Sequence, residues 1–528
     1  MGKARVESAG GTKASGRSGE TFDNLSLITA AGFGIIGIAV AWYATSLYGI
    51  GITPDSVRYF SSAQSVLEGQ GFTLYNGQPL ITSPPLFPAL MAVLGFFGMS
   101  VGTAARVLNA ALFGLIIMAT DFWLVRRFKW RPLGDLMVIG VVLALPLLDI
   151  VIVAWTETLF AFLTLTFLIL LEQSSQPPTG RQTVVLGLVT ALACLARYIG
   201  IILIPYYLLH LLLSEGALRE KTKRAVAFAG IALAPLILWL VRNFALSDTL
   251  TGNRQASSFS LTDILGQAAS AIVRWYYTFS EVTRSASIAT IAVILALVIV
   301  FLLTHIRSGR SLATIWRRLI VPGFAVYYLL CLIVLACITD FDQIGNRLTS
   351  PVFVPLLLLI FLVLDQLADG GRRKIALFKK IVVAVLCVAW LGTCLYRTAE
   401  FVTYTANNGA GGYAVSGWHQ SELIAYLRVN PPPGTLYSNA PDAVFVLSGR
   451  RARLSPRQSG PSLSGERLGL DDFNALVERE GSAYIAWFSN VGRPYMYSPK
   501  ALSSHFILQP QRRVEDGTLY RALPLPRK

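Results

Sequence analysis

The sequence predicts an all-α polytopic membrane domain of about eleven crossings, followed by a small α/β domain. Three observations predict it. Only 14% of the 528 residues are charged, where soluble domains carry roughly 25%. The mean hydropathy is +0.57. Apolar runs of about 17 to 25 residues recur along the chain, the length that crosses hydrocarbon as a helix. The period-two alternation of a membrane barrel is absent, and in lipid only helices or closed barrels satisfy their own backbone groups. Beyond about residue 405 the apolar runs give way to short strand and helix patterns.

The formal charge is +16, but the basic residues cluster in short loops between apolar runs. That is the positive-inside pattern of a membrane protein and calls for no nucleic acid. All five cysteines lie inside apolar runs, and the four histidines have no metal-ligand spacing, so neither a disulfide framework nor a metal site is expected. The polar, Gly/Ser-rich stretch 1–25 reads as a disordered cytoplasmic tail. The first apolar run has no small-residue cleavage site after it and reads as an anchor.

With that tail inside, the spans follow by charge. Span one covers about 26–48, and the chain emerges into a large first outer loop, 49–101. Within it "DSVRYFSSAQSVLEG" places Val57, Phe60, Gln64 and Leu67 at helical spacing, an interfacial helix headed by Asp55. "PPLFPALMAVLGFFGMSV" is short and Pro-rich, and is expected to lie on or half-way into the membrane. Span two (about 102–125) then returns "RRFKWR" to the inside. Spans three and four (about 133–149 and 158–172) flank the outer loop "DIVIVAWTET". Spans five and six (about 183–197 and 199–214) lead to "REKTKR", and span seven (about 225–244) exits. The outer loop 245–286 carries an amphipathic stretch. Spans eight to eleven (about 288–305, 319–338, 349–367 and 381–397) put everything beyond residue 400 outside. The membrane domain is thus 26–400 and the extracytoplasmic α/β domain 405–528, in a plasma membrane. In that domain "GTLYSNAPDAVFVLSGRRARL" reads as strand, turn, then a short helix or strand. "DDFNALVEREGSAYIAWFS" reads as helix then buried strand, and "GTLYRAL" as a last strand.

Acids gather at the outer membrane edge: Asp55, Glu157, Asp340 and Asp342. An aspartate heading a helix is most simply a cap, worth about 0.5–2 kcal/mol. Arg106, Arg242 and Arg347 border spans on the same face, against the positive-inside bias, so each asks for a partner. Headgroup anchoring is the plain reading; phosphate binding by a planar fork of N–H groups is the functional one.

"PDSVRYFSSAQSVLEGQGFTLYNGQPLITSPPLFPALMAV" resembles the first outer loop of C-type (GT-C) membrane glycosyltransferases, in particular the protein-mannosyltransferase and aminoarabinose-transferase superfamily and its bacterial members. "AARVLNAALFG", "AWTETLF", "LARYIGIILIPYYLL", "WLVRNFALSDTLTGNR" and "GNRLTSPVFVPLLLL" are similar in style and order over about 30–400, and the tail resembles an outer domain of some bacterial members. The resemblance implies an inverting transfer of a sugar from a polyprenyl phosphate to an acceptor hydroxyl on a glycan, lipid or protein. Asp55 would be the general base and Glu157 the second acid; Arg106, Arg347 and Arg242 would hold the donor phosphate; Arg58, Tyr59 and Tyr75 would bind the sugar. No cofactor is expected. The chain departs from the pattern at Ser56, where many relatives carry a second acid, which puts a metal bridged by an acidic pair in doubt. Two other readings stand beside this one. A transporter or flippase predicts ionisable residues at mid-membrane and matching halves; a non-catalytic protein with an envelope-binding tail predicts that Asp55 is only a cap.

Overall fold

The computed structural model describes residues 15–254, 256–276, 312–339, 343–369, 373–458 and 469–526, with part of a helix between 288 and 303. Most of predicted span eight, and Asp340 and Asp342, lie outside the described residues.

Among the described residues, seven helices are long and apolar enough to cross a membrane: Ser26–Ala44, Val101–Arg127, Arg131–Val151, Leu218–Ser247, Ile315–Ile338, Asn346–Ala368 and Arg373–Asn408. Between them Glu157–Gln173, Gly180–Ala196 and Leu203–Leu213 run as shorter helices. Pro146 breaks the third of these segments after Val142, because its ring and missing N–H fit only the first turn of a new helix. The Leu86–Phe96 helix has 11 residues. At 1.5 Å per residue it is about half as long as the hydrocarbon is thick, so it cannot cross.

The two ends of the bundle carry different loops. At one end Arg127 pairs with Glu172, Lys129 pairs with Asp369, and Arg317 Nε donates to the Glu172 carbonyl at 3.1 Å. These are the loops read as internal. At the other end stand the first loop, the 152–157 turn, Arg197, Arg242, the 346–352 turn and the α/β unit. Helices Ser15–Ala44 and Val101–Ala119 cross where Gly34 and Gly114 let the backbones meet; a Cβ on either would lie 3.0 Å from the other's carbonyl oxygen.

The Pro54–Leu67 helix departs from the expected surface helix. Tyr59, Phe60 and Ala63 bury into the membrane core, while Val57 buries in the core of the α/β unit. The helix is the seam between the two bodies. The α/β unit is a five-stranded sheet of order β2-β1-β3-β5-β4: β1 Leu436–Ser438, β2 Arg453–Leu454, β3 Ala483–Phe488, β4 Phe506–Val514 and β5 Gly517–Pro524. β1 pairs parallel with β2 and β3, while β5 runs antiparallel to β3 and β4. Strand β4 was not anticipated, because Pro510, two glutamines and two arginines blur its pattern. It is an edge strand with a register shift between Pro510 and Arg512, where a proline is tolerated and charge discourages further pairing.

Candidate active site

Three distant segments meet just ahead of the Pro54–Leu67 helix. Gly51 pairs with Val153 and Ile52 with Gly412. The Gly51 N–H donates to the Ile152 carbonyl (2.7 Å) and the Tyr413 N–H to the Ile52 carbonyl (2.6 Å). Gly412 has φ +61°, and a Cβ there would sit 2.0 Å from the Ile52 oxygen, so only glycine fits. Asp55 follows this junction by three residues on one strand, and Glu157 by four on another. The junction therefore fixes both acids together.

Thr53, not Asp55, caps the helix. Thr53 Oγ1 accepts from the Ser56 N–H at 3.4 Å, and Ser56 Oγ accepts from the Thr53 N–H at 3.0 Å. Trp155 Nε1 donates to the same Thr53 hydroxyl at 2.8 Å. Ser56, where an acid was expected by resemblance, is thus half of a capping box. Asp55 is left to pair with Arg58 and, at 2.6 Å, with Arg347 Nη2.

Arg347 bridges the two acids. Its Nε bonds Glu157, which Arg197 also engages, and its guanidinium stacks 4.6 Å over Trp155. The acids differ in access: the Asp55 side chain is 24% exposed and that of Glu157 1%. Thr156 Oγ1 accepts from Arg197 at 3.1 Å and lies 3.3 Å from Glu157 Oε2, closing the buried side of the cluster. Burial alone would raise the Asp55 pKa; Arg58 and Arg347 outweigh it and hold the carboxyl below the ordinary aspartate value of 3.8. Three guanidiniums face two carboxylates, and Arg254 stands within electrostatic range of Arg58 and Arg197, so positive charge prevails.

Arg58 leads from this cluster into a cavity of about 290 Å³. Gln78, Thr82, Ser247, Thr249 and Asn253 supply its other polar groups, and no acidic side chain among the described residues lines it. Arg58 Nη1 donates to Thr82 Oγ1 at 3.1 Å.

The remaining candidates are placed as follows. Tyr59 is buried edge-on against Phe87, 5.6 Å between centroids; burial, then the charges of Asp55 and Glu157, raise its pKa and keep it protonated. Tyr75 reaches away, to Asp442 of the α/β unit at 2.8 Å. Arg106 does not join the cluster. It bonds Thr45 Oγ1 and the Trp42 carbonyl, both at 2.7 Å, and stacks on Trp42, closing the end of the first helix. Arg242 is likewise occupied, bonding the Leu80 and Phe72 carbonyls at 2.7 and 3.0 Å. Sequence reasoning did not single out Arg197, Trp155 or Asp442 as site residues. For Arg197 a signal was present: an arginine inside an apolar stretch asks for a partner. Among the described residues, no three His, Cys, Asp or Glu side chains stand close enough to hold a metal ion together.

No protein-family model and no curated protein matches the chain. Solved structures do. ArnT from Cupriavidus metallidurans superposes with a TM-score of 0.60 in the apo state and 0.62 bound to undecaprenyl phosphate, at 13% identity, over 93% of this chain and 97% of that one. The chain has a GT-C fold. That fold extends in looser form to the archaeal oligosaccharyltransferase AglB from Archaeoglobus fulgidus, in complex with an inhibitory peptide and a dolichol-phosphate. There the TM-score is 0.51 and the identity 11%, over 89% of this chain and 69% of that one. The GT-C fold here is ArnT-like in extent, because a match over 93% of this chain takes in most of the α/β unit.

Proposed function

We propose that the protein is a membrane glycosyltransferase that takes a sugar from a polyprenyl phosphate and transfers it, with inversion, to an acceptor hydroxyl. The observation that carries this reading is Asp55. It is freed from capping by Thr53 and partly exposed, and it is held among arginines beside a cavity lined by Arg58 and five neutral polar side chains, with no acid among the described residues that line it. The fold supports it further, since ArnT binds undecaprenyl phosphate and AglB a dolichol-phosphate. The site end would be the external face, because the loops at the other end are strongly basic.

In this reading the donor phosphate lies against Arg58 and Arg347. The acceptor oxygen attacks the anomeric carbon from the side opposite the phosphate, and its proton passes to Asp55. The carbon–oxygen bond to phosphate breaks with its electron pair on the phosphate, where the guanidiniums stabilise the growing charge. A phosphate that draws Arg58 and Arg347 toward itself loosens their hold on Asp55. The carboxylate then becomes more basic once the donor is bound. Glu157, almost wholly buried, orients Arg347 and Arg197 rather than reaching substrate.

The decisive experiment is Asp55→Asn in a transfer assay with a polyprenyl-phosphate sugar. The amide preserves shape but takes no proton, and the expected loss is about 10²–10⁴-fold. Retention of full activity would overturn the base assignment.

A further inference from the structure

The wall of the cavity is a loop clamped from two sides. Residues 72–82 supply Gln78 and Thr82 to the cavity and fold back on themselves, with the Leu74 N–H donating to the Gln78 carbonyl at 2.7 Å. From the bundle, Arg242 holds the Phe72 and Leu80 carbonyls, and the Tyr198 hydroxyl holds the Ile81 carbonyl at 2.7 Å. From the α/β unit, the clamp is Tyr75. Its ring stacks on Phe445 (centroids 4.8 Å apart, 18° between planes), and its hydroxyl donates to Asp442 Oδ1 at 2.8 Å.

Asp442 is itself constrained. It sits in the first turn of the Pro441–Ser448 helix, mostly buried, with Arg493 Nη2 3.9 Å from its other oxygen. Arg493 Nη1 continues to Tyr495 at 3.2 Å. Asp442 also lies within electrostatic range of Asp55 and Arg58. The α/β unit thus brings a carboxylate to the edge of the site without entering the cavity.

We propose that Asp442 is a positioning residue for this cavity: through Tyr75 it fixes the 72–82 loop, and so sets Gln78 and Thr82 against Arg58. The α/β unit then acts as the outer half of the binding chamber, and the tightness of the donor head-group site depends on it. Burying a hydroxyl against a carboxylate favours one loop position, because any other leaves the carboxylate short of a partner in a poorly solvated place. The inference rests on the transferase reading for the identity of the ligand, but not for the behaviour of the loop.

The test uses the full-length protein in nanodiscs with Tyr75→Phe, Asp442→Ala and Asp442→Asn. Two quantities are measured: amide hydrogen exchange across 70–82, and binding of undecaprenyl phosphate. Tyr75→Phe keeps the stacking and removes the bond to Asp442, so exchange at 70–82 should quicken about ten- to a hundredfold, the range expected for one hydrogen bond to a charged group. Exchange in the membrane helices and the melting temperature should hold. Undecaprenyl phosphate binding should weaken in the same proportion. Asp442→Ala, which also takes a partner from Arg493, should loosen 70–82 at least as much as Tyr75→Phe, the double variant should be no worse than Asp442→Ala alone, and Asp442→Asn, which still accepts a bond, should recover most of the effect. Unchanged exchange at 70–82 in both Tyr75→Phe and Asp442→Ala overturns the proposal whatever the protein binds. Loosened exchange with a wild-type protein that binds no polyprenyl phosphate instead supports the clamp and rejects the donor.

Discussion

Arg347 Nη2 stands 2.6 Å from Asp55 Oδ2, so the arginine that follows the ninth predicted span grips the acid that follows the first. The same guanidinium engages Glu157, and a single side chain ties both acids into one unit. Asp55 thus stands between Arg347 and Arg58, the two arginines assigned to the donor phosphate in the proposed reaction.

The cap at the head of the Pro54–Leu67 helix falls on Thr53 and the proposed base on Asp55, so the two roles separate by mutation. Thr53→Ala removes the cap and the Trp155 bond and should cost about 0.5–2 kcal/mol of stability. Asp55→Asn leaves that cap in place but gives up the ion pairs with Arg58 and Arg347, so what sets it apart from Thr53→Ala is its loss of turnover. Thermal unfolding of both variants in detergent, alongside the transfer assay, checks the split. An Asp55→Asn protein that melts as early as Thr53→Ala while turning over normally contradicts it.

Glu157 is the acid whose removal should unfold the site. Glu157→Gln leaves Arg197 and Arg347 facing one another in a nearly sealed place. Breaking a buried pair by removing one partner costs about 3–5 kcal/mol, and the melting temperature should drop accordingly. A variant as stable as wild type would show that the two cations find other partners.

The arginines should sort by location. Arg58→Ala removes a charge-assisted donor from the cavity wall and should weaken undecaprenyl phosphate binding by about 1.5–3 kcal/mol. Arg106→Ala should leave that binding alone, since Arg106 closes the first helix instead. Titration of both variants with the lipid in nanodiscs decides, and equal losses would mean that phosphate contacts Arg106 after all.

Acid should erode the Asp55 contribution in one direction. Its folded pKa is depressed below 3.8, so its ion pairs stabilise fully above that value and are lost as pH falls through the lower, folded one. The stability gap between wild type and Asp55→Asn should therefore be flat above about pH 5 and close on acidification below 3.8. A gap that instead widens toward low pH would show that burial, not the arginines, governs this carboxyl.

Much of the membrane body was legible because its signals are local. Apolar length marked, among the expected eleven crossings, the seven described helices long enough to cross, and the Pro-rich Leu86–Phe96 segment was recognisable as too short to span. Asp55, Glu157 and Arg347 stood out as charges at membrane edges, and they do converge. Arg106 and Arg242 stood out for the same reason and do not, because an arginine at a helix end serves a backbone carbonyl as readily as a phosphate. Thr53, Ser56 and Asp442 carried no comparable mark. Their roles depend on what arrives from elsewhere in the chain: Trp155 onto Thr53, and Tyr75 onto Asp442. The edge strand β4 was obscured by its own defences, Pro510 and its arginines.

The meeting of Gly51, Val153 and Gly412 also bears on biogenesis. Residue 52 leaves the ribosome long before residue 412, so the first helix must wait in the bilayer, the end that leads to Asp55 unfinished, while most of the polypeptide is still being inserted. Until the last segment docks, Asp55 has no settled address, and a nascent or truncated chain would carry every membrane helix yet no working centre.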